Sequence, residues 1–166
     1  MAKPTLEEAL ISLHRYFLSA STFRSQYGKL LPSIITSPDA KLQAQIFLEE
    51  WYAKLQVVVD GWNIIKKQYS TFQSDSVIDG LLSGFTKKQH TAIKDHRDGT
   101  YHFRPKYYDD KRMDVFLHLD GMDLPKVHQA FSDFFLQMLK ARREKEAANI
   151  GVQISVNSDC GMSKCS

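Results

Sequence analysis

A chain of 166 residues and 19.1 kDa has the size of one domain that can bury a core without disulfides or a structural metal. Hydrophobic residues make up 43% and charged residues 25%, which excludes wholesale disorder. The formal charge of +3 permits an anionic partner without demanding one.

Thr5 followed by Glu8 is a capping box, in which each side chain satisfies a free backbone amide of the other, so a helix starts there. Leu6, Leu10, Leu13, Phe17 and Ala20 line one face and carry it towards Tyr27, with Gly28 and Pro32 as stop signals. Ser37 is the next cap and Pro38 suits the first helical position. A long second helix follows, with Leu48, Trp51, Leu55, Val58, Trp62, Ile65 and Tyr69 alternating by three and four. Aromatic residues at this spacing are read as packing before they are read as a ligand box. A third helix restarts at Asp75, with Val77, Ile78, Leu81 and Leu82 apolar, and Ser83 and Gly84 break it. From Phe85 a fourth runs into "KDHRDGTYHF", after which Pro105 makes "RPKYYDDKR" a loop.

The short apolar piece "MDVFLHL" leads to Asp123 and Pro125, a cap and first turn. The last helix places Val127, Phe131, Phe134 and Met138 on one face and ends in the charged run "KARREKEA". Residues 149–166 lack helical periodicity and read as a flexible tail behind a helical domain of residues 5–148. The fold class expected is all-α, an antiparallel bundle of four to five helices.

Cys160 and Cys165 have no zinc-type spacing, no apolar run is long enough to cross a bilayer, and "MAKPTLEEAL" lacks the pattern of a signal peptide. The terminal "KCS" is no prenylation box. A cytoplasmic protein is expected, without a membrane contact.

Charge is unevenly distributed. Between Lys87 and Arg112 there are eight Lys or Arg residues against four Asp, so the basic excess gathers around Arg97 and His102. Positions five apart on a straight helix diverge by about 140°, so these two side chains converge only if the helix loosens or ends near Gly99. A permanently charged guanidinium beside an imidazole suits a phosphodiester, one holding the phosphate and the other moving a proton. His90, His96 and His102 recur every six residues, a spacing that spreads them around a helix and argues against a metal.

The run "RDGTYH", with aromatic Tyr101 and Phe103 flanking His102, resembles the R-x4-6-H signature of the HEPN family. The resemblance implies a helical bundle with metal-independent endoribonuclease activity, in which the RNA's own 2′-hydroxyl attacks the adjacent phosphate. It implies no cofactor, a homodimer with facing motifs, and a role as a toxin or defence component, with a possible antitoxin or other protein partner. Carried over, Arg97 contacts the scissile phosphate, His102 is the general acid or base, and Asp98 orients them. In relatives paired with a nucleotidyltransferase antitoxin a tyrosine stands two positions after the histidine; here that position is Arg104. Arg104, Lys106, Tyr101 and Tyr107 are candidates to bind RNA through charge and stacking. The alternative is a noncatalytic helical module binding a protein or RNA. In that case Arg97 pairs with Asp95, Asp98 or Asp109 and His102 caps a helix end. His14, His118 and His128 show no partner in the sequence and are expected at the surface or hydrogen-bonded.

Overall fold

The computed structural model describes residues 3–101 and 123–160. Helix α1 spans Leu6–Leu30, α2 Pro38–Gln68, α3 Ser76–Ser83, α4 Lys87–Tyr101 and α5 Leu124–Cys160, with a 3-10 turn at Leu31–Ser33. No strand occurs among the described residues, and the protein is all-α. The loop expected at "RPKYYDDKR" and the apolar piece "MDVFLHL" lie outside the described residues. No helix among them is long and apolar enough to cross a membrane.

Local chemistry sets the starts. Thr5 Oγ1 accepts from the Glu8 amide at 3.2 Å while Glu8 Oε2 accepts from the Thr5 amide at 2.7 Å. Ser37 accepts from the Ala40 amide with Pro38 in the first turn, and Asp75 accepts from the amides of Val77 and Ile78. Asp123 accepts from the Lys126 amide, so α5 begins where its cap predicted. The fourth helix was expected from Phe85 without a cap; Thr86 and Gln89 form a capping box at its head.

The ends differ more. Helix α1 passes through Gly28 to Leu30 before Pro32 enters the 3-10 turn. Helix α5 runs on to Cys160, past Asn149 where apolar periodicity stops. A helix already nucleated extends at one hydrogen bond per residue, with or without a patterned face. On α5 the buried residues, among the described side chains, are Leu124, Val127, His128, Ala130, Phe131 and Phe135, whereas Phe134, expected on that face, is only partly buried. The repeat from Phe131 is thus four residues, not three.

The chain forms two compact units, Met1–Phe131 and Ser132–Ser166, with the boundary inside α5. In the first, α1 and α2 pack antiparallel. The Tyr69 hydroxyl donates to the Pro4 carbonyl at one end, and Phe23 faces Phe47 and Tyr27 faces Trp51 at the other. Between them, a Cβ on Gly61 would stand 2.5 Å from Leu13 Cδ1, so the missing side chain lets the helices close there. Trp51, Leu55, Val58, Trp62 and Ile65 are buried as the α2 stripe predicted, while Leu48 and Tyr69 are half-buried. Each large apolar side chain so buried contributes about 1.5–3 kcal/mol. Phe131 meets Trp62 edge-on at 5.4 Å and Phe17 at 6.4 Å, so the first turns of α5 close the core. In the second unit Phe134 and Phe135 contact at 5.3 Å, and Arg142 pairs with Glu146 one turn on.

Two polar devices fix the packing, the first part-buried and the second buried. Asp79 on α3 accepts from Trp62 Nε1 at 2.9 Å, from Ser74 Oγ at 2.6 Å and from Lys66 Nζ at 2.6 Å. Burial works to raise its pKa, but the hydrogen bonds from Lys66, Ser74 and Trp62 outweigh it and hold Asp79 below the ordinary carboxylate range. The second device is His128, a satisfied core histidine. Trp51 Nε1 donates to His128 Nδ1 at 3.0 Å, and Ser21 Oγ lies 3.2 Å from His128 Nε2. An indole N–H only donates, so Nδ1 is the acceptor and Nε2 carries the proton it gives to Ser21. Burial, reinforced by the Arg24 charge, pushes the imidazole pKa down to about 4.

This gives a signed pH dependence. Below pH 6.5 the unfolded chain protonates His128 while the folded chain does not, so stability falls as pH drops from 6.5 to about 4 and levels off below that. We expect the urea-unfolding free energy of the wild type, measured against His128→Gln, to lose about 3 kcal/mol over that window. A difference between the two proteins that stays constant with pH would exclude a neutral buried imidazole.

Candidate functional site

The residues singled out by the motif begin on α4, which packs against α2. The Thr86–Gln89 box fixes where α4 starts and hence which way its later residues point. The helix continues through Gly99 to Tyr101 without a break, so neither condition for Arg97 and His102 to converge, a loosening or an end near Gly99, is met up to that residue.

Arg97 is held from two sides. Its Nε and Nη2 donate to Asp98 Oδ1 at 2.9 and 2.7 Å, and its Nη1 donates to Asp60 Oδ2 on α2. Asp60 is itself positioned, since its Oδ1 accepts from Gln56 Nε2 at 2.7 Å one turn earlier. The Asp98 hydrogen bond first, and the Asp60 carboxylate after it, raise the Arg97 pKa against partial burial, so the guanidinium is a permanent cation. A guanidinium has five N–H bonds, and these contacts use three. Among the described residues, one N–H on Nη1 and one on Nη2 have no further acceptor.

The Asp98 contact is the pairing anticipated from the sequence; the Asp60 contact is not. Asp60 lies 37 residues from Arg97 and sits in the α2 register beside the apolar stripe. A lone acid one turn before Ile64 carries no local signal for a distant partner. His102, Arg104, Lys106 and Tyr107 lie outside the described residues, as does Asp109, and Tyr101 is described only in its backbone. The site therefore consists here of Arg97, Asp98 and Asp60, with Gln56 behind them.

Beside the triad runs a groove of about 450 Å³ between α1 and α2. Leu13, Tyr16, Ile64 and Tyr69 supply its apolar walls, while Glu8, Asp60 and Arg97 supply its charge. Tyr16 and Ile64 are each about half exposed, 51% and 52%, so this face is only partly covered. The stripe from Trp51 to Tyr69 thus divides: Trp51 and Trp62 are packing, whereas Ile65 and Tyr69 reach the groove. Among the described residues no three His, Cys, Asp or Glu side chains are grouped to hold a metal ion.

Comparison of the chain with protein-family models, curated proteins and solved structures finds no match.

The Asp60–Arg97 pair is partly exposed, at 39% and 23%, so solvent screening limits its worth. A double-mutant cycle with Asp60→Asn and Arg97→Met should give a coupling of about 0.5–1 kcal/mol in urea unfolding that shrinks as salt is raised. A coupling that vanishes at low salt would show that the pair does not hold α4 on α2 in solution.

Proposed function

We propose that this chain is a HEPN-like, metal-independent endoribonuclease acting in the cytoplasm as a homodimer, with RNA as substrate and an antitoxin or similar protein as a possible regulator. The observation that supports this reading best is the state of Arg97. Asp98 and Asp60 aim it from two helices, yet an N–H on each terminal nitrogen is left for a phosphate oxygen. A donor already oriented loses little freedom when a phosphate arrives.

In the mechanism that the sequence resemblance implies, the 2′-hydroxyl attacks the neighbouring phosphorus as His102 takes or gives a proton. The bond to the 5′-oxygen breaks, leaving a 2′,3′-cyclic phosphate on one product and a 5′-hydroxyl on the other. Negative charge grows on the non-bridging oxygens, where a fixed guanidinium stabilises it. Asp98 acts on Arg97 rather than on the RNA, which makes it a positioning residue.

A second reading has its own support. Two carboxylates already neutralise the Arg97 charge, as befits a pin between α2 and α4 in a noncatalytic binding module. One experiment separates the two. End-labelled single-stranded and structured RNAs are incubated with the purified protein in EDTA, beside Arg97→Ala and His102→Ala of matched folding. The ribonuclease reading expects cyclic-phosphate ends and a loss of at least roughly a hundredfold in each variant. No cutting at high protein concentration, or equal cutting by both variants, transfers the assignment to the binding module.

A further inference from the structure

We infer that the stripe formed by Lys87, His90 and Lys94 on α4 is the track along which a single RNA strand reaches Arg97; this rests on the ribonuclease reading above. Residues 87, 90, 94 and 97 are spaced three, four and three apart, which gathers them within about 80° of one helix face over about 15 Å. Lys87 and Lys94 are exposed, and His90 is half-buried with its ring edge-on to Phe85 at 5.7 Å. Neither lysine has an ion pair among the described residues, so both ammonium groups face solvent.

The acids of α4 leave the stripe open. Asp98 shares its side of the helix but is committed to Arg97, and Asp95 is turned roughly 80–100° away from Lys87 and Lys94. A stripe at the N-terminal end of a capped helix also has the positive end of the helix dipole behind it. Lys87, Lys94 and Arg97 place three cations on one face, against which a backbone that carries one charge per nucleotide can lie. The stripe selects a polyanion without reading its bases, as a binding track for an RNA should.

The test is the salt dependence of binding to a fluorescent 2′-O-methyl RNA oligonucleotide, which offers no free 2′-hydroxyl for cleavage. Each phosphate neutralised by a protein cation adds about 0.7 to the slope of log affinity against log salt on a single strand. The double variant Lys87→Ala, Lys94→Ala should therefore lower the slope by about 1.4. A control double variant, Lys29→Ala with Lys41→Ala, removes equal charge at the α1–α2 turn, about 28 Å along α2 from Asp60, and should leave the slope unchanged.

Equal slopes for the wild type and the α4 variant would overturn the track while leaving the cleavage reading to stand on Arg97. An equal drop in the control would overturn it too, by showing a general charge effect. No RNA binding by the wild type would overturn the ribonuclease reading itself and the track with it, leaving the lysines as a surface for an acidic protein.

Discussion

An indole N–H buried in a helical core must find an acceptor, and much of the first unit is arranged around how Trp51 finds one. Its partner is His128 Nδ1, and the same ring reaches Ser21 through Nε2, so one imidazole ties α2, α5 and α1 together. Leaving that N–H unpaired would cost about 1–3 kcal/mol, a large share of the stability of a small domain. Around the hydrogen bonds the rings close in: Phe17 lies 4.7 Å from the His128 ring and Arg24 stacks over Trp51. Three helices can satisfy this arrangement in only one register, which sets where the remaining core residues meet.

Given that register, the Gly61 gap brings α1 close to α2 at Leu13, and α2 then presents Asp60 to α4. The candidate site thus depends on core packing at one remove. Arg97 is aimed by a carboxylate whose position follows from the α2 stripe, not from anything in the motif. This gives the guanidinium two demands to meet at once. It joins α4 to α2 through one N–H bond to Asp60 and spends two more on Asp98 of its own helix, so its structural and chemical roles share one planar group.

What could be read from the sequence was local. Thr5 with Glu8, Ser37 with Pro38, Asp75, and Asp123 each act within four residues of themselves, and each cap stands where its residue type placed it. The α2 stripe was legible because a long apolar period survives small errors of phase. On α5 a shift of one residue exchanged Phe134 for Phe135, since both are aromatic and periodicity alone cannot choose between neighbours. The contacts that fix the core and the site are of another kind. Asp60 with Arg97, Trp51 with His128, and Ser21 with His128 join residues 37, 77 and 107 positions apart. No local pattern encodes such pairs, because they arise only once helix rotation is fixed by the core. Asp98 beside Arg97 was the exception, being adjacent in the chain.

The two tryptophans of the chain end up in chemically different seats. Trp51 gives its N–H to a neutral imidazole at the meeting of α1, α2 and α5, whereas Trp62 gives its N–H to a carboxylate that anchors α3. Their emission is therefore shaped by unlike neighbours, one aromatic and titratable, the other anionic and flanked by Phe72 and Phe131. Each of the two polar seams carries one tryptophan, so replacing either by Phe would leave the other to report on its own helix contacts.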